Sequence, residues 1–270
     1  MRYRQHEIGS LSHKGETQGF RSDPPSSKYW SFEELLESKL KSETSGDVDL
    51  RQFTSPRHDQ RSTSSCVGQS VVKALEIKRI MKLGRSAHVD LSILAVYFLA
   101  RELMSPSEVG TDSGTYISLA CDVLRRFGVC PEKDWPFDMT RICISPSWKA
   151  MRKAYLHKIN SFYRINSIGQ DRVEKVVKAL QSNNPVVYGT SVGQNWFSYR
   201  KDQVLSQPKA ILGRHATVLL GYENGKFIGE NSWGTKWGDD GFYYMDPAVI
   251  SSSESRDFWV IQEGFEEYKS

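Results

Sequence analysis

Apolar residues keep a helical period through roughly the first two thirds of this 270-residue chain, and after about residue 184 the pattern changes to short strands separated by turns. From residue 64 to Gly84, the positions Val67, Val71, Ala74, Leu75, Ile77, Ile80 and Met81 share one broad face, which predicts a long central helix. Leu91 to Met104, Thr115 to Phe127, Trp148 to Lys158 and Asp171 to Gln181 carry further helical patterns, and Gly128 supplies a left-handed stop after Phe127. Pro185 to Tyr188, Ala216 to Leu220, Lys226 to Ile228 and Gly241 to Met245 read as strands, with Glu223-Asn224-Gly225 as a hairpin turn. Helices followed by strands predict an α+β fold in which a helical N-terminal lobe faces a sheet-rich C-terminal lobe across a cleft.

Residues 1–50 differ from the rest of the chain, being polar and broken by Gly, Ser and the Pro24-Pro25 pair. Their one amphipathic stretch is Ser31 to Leu40, where Ser31 caps and Glu34 completes a capping box. They read as an N-terminal arm or short pro-segment ahead of a domain over 51–270. The arm is either a tail without function or a segment that covers or regulates a groove.

Charge excludes some function classes. The 36 basic and 32 acidic residues are dispersed, leave a formal charge of +4, and offer no aromatic-basic platform for nucleic acid. The longest strongly apolar run, Ile93 to Ala100, is far too short for a membrane span, and the N-terminus lacks the apolar region of a secretory signal. Cys66, Cys121, Cys130 and Cys143 form no Cys-x-x-Cys pair and have no zinc-finger histidines, so neither a metal nor another cofactor is expected. Reduced thiols in a cytoplasmic or other reducing intracellular setting are the expectation.

Cys66 stands apart because it ends the polar run Gln60-Arg-Ser-Thr-Ser-Ser-Cys66 and begins the central helix. Unpaired N–H groups and the helix dipole favour an anion there, so its thiol is expected to ionise readily. A nucleophilic thiolate needs an imidazole, and the imidazole needs a polar group to orient it. His215 begins an apolar strand, and Asn231 returns beside it after the next turn and strand. Trp233 is placed to shield their hydrogen bond, and the Gln60 amide to join the Cys66 N–H in an oxyanion hole.

Gln60 to Cys66, Arg214-His215-Ala-Thr-Val-Leu-Leu-Gly-Tyr222 and Asn231-Ser-Trp-Gly-Thr-Lys-Trp-Gly-Asp-Asp-Gly-Phe242 resemble, in order, the catalytic blocks of papain-like cysteine peptidases. The resemblance covers about residues 50–260 and implies a papain-like two-lobe fold with the active site in the cleft. It implies Cys66 as nucleophile, His215 as base and acid, Asn231 as orienting residue, and Gln60 with Cys66 as oxyanion hole. Backbone around Ser113 and Gly114, together with Ala216 and Trp233, is implied to bind a peptide or protein substrate. The implied activity is peptide hydrolysis through a thioester acyl-enzyme, as an endopeptidase. A related exopeptidase or acyl-transfer enzyme, or a catalytically weak binding or assembly protein, are the alternatives.

The pattern also has departures. Val67 follows the nucleophile where the family has an aromatic, and Arg214 precedes His215, where an inward charge would disfavour the imidazolium. Thr63 and Thr111 stand where members place one disulfide, and a second is not expected, because Leu99 falls near one partner's place although Cys143 resembles the other. The arm is much shorter than the family's inhibitory pro-segments.

Overall fold

In the computed structural model, residues 17–24, 29–39 and 46–263 are described. The arm before Thr17 and Leu40, the end of the expected amphipathic stretch, lie outside the described residues.

Four longer helices come first: α1 (Phe32–Lys39), α2 (Cys66–Leu83), α3 (Ile93–Met104) and α4 (Ile117–Arg126). Strands β1 (Thr17–Gln18), β2 (Trp30–Ser31) and β3 (Val48–Asp49) belong to the same stretch of chain as α1. β4 (Ile159–Ile165), β5 (Val186–Val192), β6 (Gly213–Glu223), β7 (Lys226–Glu230), β8 (Phe242–Met245) and β9 (Ser255–Glu263) come after them. They form one sheet in the order β2-β4-β9-β5-β6-β7-β8, with β1 and β3 also paired to β6. This is the expected α+β arrangement of two lobes. α2 is buried along most of its length and packs against β6, so the chain's central helix is also the seam between the lobes.

The helical pattern of Trp148 to Lys158 ends early. Only Trp148–Met151 is α-helical, and a 3-10 turn over Ala154–His157 leads into β4. Ala150, Ala154 and His157 are buried and Tyr155 and Leu156 face solvent, a helix-like spacing that the backbone keeps only in part. β9 was equally unmarked in sequence: its apolar centre, Phe258-Trp-Val-Ile261, is buried between β4 and β5. At the β6–β7 turn, Asn224 and Gly225 both have positive φ (51° and 73°), the backbone that a tight hairpin needs.

Ser31 does cap α1, its hydroxyl accepting the Glu33 N–H (3.2 Å), but the reciprocal carboxylate is Glu33 and not Glu34. Glu33 also accepts the backbone N–H groups of Asn166 (2.9 Å) and Ser167 (3.0 Å), which ties α1 to the end of β4.

All four cysteines are free. Where disulfides would otherwise staple the helical lobe, the fully buried Arg101 guanidinium donates to the carbonyls of Thr111 and Ile142 and stacks on Tyr97, 4.1 Å from its ring centre. Its planar fork joins two loops that are distant in sequence. Arg101→Met leaves two carbonyls without donors, each worth about 1–3 kcal/mol when buried. We expect a loss of about 2–5 kcal/mol in urea unfolding; an unchanged midpoint would contradict the staple.

Candidate active site

Cys66 is the first residue of α2, and Ser65 before it makes no side-chain cap, so the end of the helix is open toward the cleft. β6 crosses that end. The Ala216 N–H donates to Cys66 Sγ at 3.4 Å, which brings the preceding residue, His215, to the same place. β7 is the next strand, and the residue leaving it is Asn231. His215 Nε2 lies 2.7 Å from Asn231 Oδ1, and Ser232 N–H donates to the same oxygen at 2.8 Å.

That second bond determines the protonation pattern. An amide NH2 cannot accept from Ser232 N–H, so the atom facing His215 is the oxygen; Nε2 must therefore donate, which leaves Nδ1 as the basic nitrogen of the neutral ring. The Trp233 ring centre is 5.0 Å from that of His215 at a tilt of 41°, where it keeps water from the bond. Gln60 is held on three sides: its N–H donates to Ser232 O (2.8 Å), its Oε1 accepts from Ser232 Oγ (2.7 Å), and its Nε2 donates to Thr63 O (2.8 Å). Thr63 donates its own hydroxyl to Gln60 O (2.7 Å), a role for the residue standing at a missing cysteine. Behind Asn231, buried Glu230 pairs with Lys73 of α2 at 3.0 Å, clamping the Asn231 strand end to the Cys66 helix.

Electrostatics run against the sequence expectation. Burial pushes the Cys66 thiol up to about 12, which outweighs the N–H groups of Ala216 and Val67 that favour the thiolate. Burial likewise lowers His215 to about 4, with the Asn231 bond opposing. The described state therefore holds a neutral thiol and a neutral imidazole. Arg214 is exposed, and strand alternation puts it on the face opposite His215, so its charge does not point inward.

The arm lies over the sulfur. β1 adds to β6 in parallel, Thr17 beside Gly213 and Gln18 beside Arg214. The next residue, Gly19, lies on the sulfur: a Cβ there would stand 2.7 Å from Cys66 Sγ and 3.0 Å from Ser64 O. Gly19 O accepts the Thr115 N–H (3.3 Å), and Arg21 N–H donates to Thr115 O (3.1 Å). Phe20 between them is buried against Gly189, where a Cβ would fall 2.1 Å from two ring atoms. Ala216 is the cross-strand neighbour of Gly189, so it shares that apolar floor.

Of the implied substrate residues, Ser113 presents its carbonyl to Arg21 Nε (2.9 Å), whereas the Gly114 N–H is turned inward to Tyr97 OH (2.9 Å). Thr115, Gly189 and Phe20 were missed from sequence. A glycine inside a strand run was the available signal for Gly189. As to metals, Glu76, His88 and Asp90 offer ligand atoms within 4.8 Å of one another. Both Glu76 oxygens are already engaged, one by Leu91 N–H (2.8 Å) and the other by Ser55 Oγ (2.5 Å).

A family model described as papain family cysteine protease matches residues 44–257. Over 235 residues the chain is 31% identical to an uncharacterized peptidase C1-like protein of Acanthamoeba polyphaga mimivirus, covering 81% of this chain and 75% of that one. It is 29% identical over 136 residues to cysteine proteinase COT44 of Brassica napus, spanning 48% of this chain but 39% of that protein. Among solved structures, xylellain, a cysteine protease from Xylella fastidiosa, superposes with a TM-score of 0.79 at 26% identity, covering 93% and 98% of the two chains. Digestive procathepsin L2 of Tenebrio molitor shares the fold, with a TM-score of 0.73 at 16% identity over 96% of this chain and 80% of that one.

One anchor of the arm titrates. Asp23 is buried, accepts from Ser118 Oγ and Trp259 Nε1 (3.0 Å), and donates its N–H to Asp257 (2.8 Å), which pairs with Arg164. Burial, then the Asp257 charge, raise Asp23 from 3.8 to about 7. Raised in the docked state, this carboxyl contributes fully to docking below about pH 4, and the contribution is lost as pH climbs through 7. Hydrogen exchange of residues 17–24, taken as the ratio of wild type to Asp23→Asn at each pH, should rise across that window; a flat ratio contradicts the assignment.

Proposed function

The chain belongs to the papain family of cysteine proteases, and on that premise we propose that it hydrolyses peptide bonds with Cys66 as nucleophile, His215 as base and acid, and Asn231 as orienting residue. The observation that carries the reading is the Ala216 N–H on Cys66 Sγ at the α2 N-terminus, which puts the His215–Asn231 pair next to the sulfur.

In this reading, Nδ1 of His215 takes the Cys66 proton and the sulfur attacks the peptide carbonyl. The oxyanion that forms receives the Cys66 N–H and a Gln60 Nε2 hydrogen, charge stabilisation present only as the tetrahedral species develops. The imidazolium then gives its proton to the leaving amine, and a thioester to Cys66 remains. Water, deprotonated by His215, attacks that thioester, releasing the acid and restoring the thiol. Asn231 acts throughout by holding Nε2–H and supporting the ring when it is charged. Cleavage within chains, as an endopeptidase, fits a groove that the arm traverses from Thr17 to Asp23. Four free thiols, three of them buried, favour a reducing compartment.

The arm is the resting-state cover. With Gly19 on the sulfur and Phe20 on Gly189, it fills the place that a substrate must take. The ragweed protease Amb a 11 in its proform has the same fold, at a TM-score of 0.69. The domain division at about residue 50 thus separates a regulatory arm from the catalytic unit, although α1 and β2 also pack on that unit.

The test combines turnover of a mixed peptide library with mass spectrometry after exposure to an epoxysuccinyl peptide, which alkylates activated thiols. Gly19→Val drives side-chain atoms into Cys66 Sγ and Ser64 O, so it should expel the arm and raise both labelling and turnover at least tenfold. Cys66→Ala should abolish both. Library turnover that survives Cys66→Ala would sink the mechanism. A folded Gly19→Val chain inert in both assays would favour the binding or assembly role.

A further inference from the structure

The arm reaches past the apolar floor to a charged contact that the proposed chemistry does not use. Arg21 Nη2 lies 3.1 Å from Glu108 Oε2, Nη1 lies 3.4 Å from Glu108 Oε1, and Nε donates to Ser113 O at 2.9 Å. Met104 Sδ, 3.9 Å from Nη1, lies against the same guanidinium. A carboxylate and a backbone carbonyl thus take three N–H directions of a planar fork, a geometry that a guanidinium fills better than an ammonium.

The receiving side is built by the helical lobe alone. Glu108 sits on the short turn Pro106–Gly110, which Ser105 caps after α3 (Ser107 N–H to Ser105 Oγ, 3.4 Å), and Ser113 Oγ donates to Glu108 O at 3.3 Å. Both partners are partly exposed, with 30% and 26% of their side chains accessible, so the contact lies at the rim of the cleft where a substrate side chain can enter. Hydrogen bonding from Ser113, with the Arg21 charge behind it, keeps the Glu108 carboxyl below its ordinary range and hence ionised.

Spacing along the arm gives the subsite its place. Gly19 covers the sulfur, Phe20 takes the Gly189–Ala216 floor, and Arg21 is one residue farther from Cys66. We propose that Glu108, with the Ser113 carbonyl, forms a cation-recognising subsite for the substrate residue next beyond the one on the Gly189 floor, and that it selects peptides carrying arginine there. The arm's Phe20-Arg21 pair occupies both positions in the resting chain. This rests on the peptidase reading, with the side chain on the Gly189 floor lying two residues before the cut and the selected arginine three before it.

The experiment uses full-length Gly19→Val protein, in which the arm is displaced, and three peptides alike except for arginine, norleucine or glutamate at the third position before the cut. The arginine peptide should exceed the norleucine peptide about fivefold in kcat/KM, the upper end for a partly exposed ion pair, with glutamate lowest. The difference should lie in KM, since the contact is the same before and during reaction, and it should shrink with added salt. Glu108→Gln should bring the arginine-to-norleucine ratio to about one, and Glu108→Lys should favour glutamate. Arg21→Gln in the otherwise wild-type chain removes the occupant and leaves the subsite, so it should speed Cys66 labelling. Turnover with no arginine preference, or with a preference that Glu108→Gln leaves intact, overturns the subsite and leaves the peptidase reading standing. No turnover of any peptide overturns both.

Discussion

The cleft depends on where β6 meets the start of α2, at the Ala216 N–H on the Cys66 sulfur (3.4 Å). That contact joins the first residue of the buried helix α2 to the strand β6, and β6 in turn sets β7 and Asn231 beside His215. Because side chains alternate between the two faces of a strand, a slip of one residue in β6 would send His215 to the outer face and turn Arg214 inward. The neighbouring Lys73–Glu230 pair, both partners buried, links the same helix and strand end.

Two effects compete for the Cys66 proton, and their sizes decide the resting state. A helix N-terminus stabilises an anion by about 0.3–1 kcal/mol, up to about 2 in buried geometries. Burial moves the thiol from 9.0 to about 12, roughly 4 kcal/mol against the thiolate. Desolvation wins, and the pair stays neutral. The dipole argument is sound for an open cleft; the arm changes the solvent, not the helix. In the function proposed here, one piece of chain would both cover the substrate path and keep water from the thiol. Burial also lowers His215, whose ring lies against Trp196 and Trp233, while its Asn231 bond opposes.

Much of this was legible in the residues. The Cys66 helix start, the His215 strand and the Asn231 turn carried both the fold class and the candidate constellation, since helix periodicity, strand runs and a hairpin turn are local signals. What escaped notice depends on shape across distance. β9 reads as a four-residue apolar run between charged ends, and β4 as a mixed stretch without clean alternation, because each is completed only by its neighbours in the sheet. Arg101 carries no local signal of its role, and only the close approach of Thr111 and Ile142 makes it a buried fork. The arm's route required two glycines far apart, Gly19 against sulfur and Gly189 beneath Phe20, and neither is informative without the other surface. Glu33 displaced Glu34 in the α1 cap for the same reason: Asn166 and Ser167 offer backbone N–H groups that no local pattern contains.

The most direct measurement is the ionisation of Cys66 itself, followed by thiolate ultraviolet absorbance against pH in the intact chain and in Gly19→Val, with Cys66→Ala subtracted from each. The account predicts a Cys66 titration near 12 while the arm is docked, and one well below 9 once it is displaced. A Cys66 that titrates alike in both proteins would contradict it, because the arm would then not be what keeps the sulfur protonated.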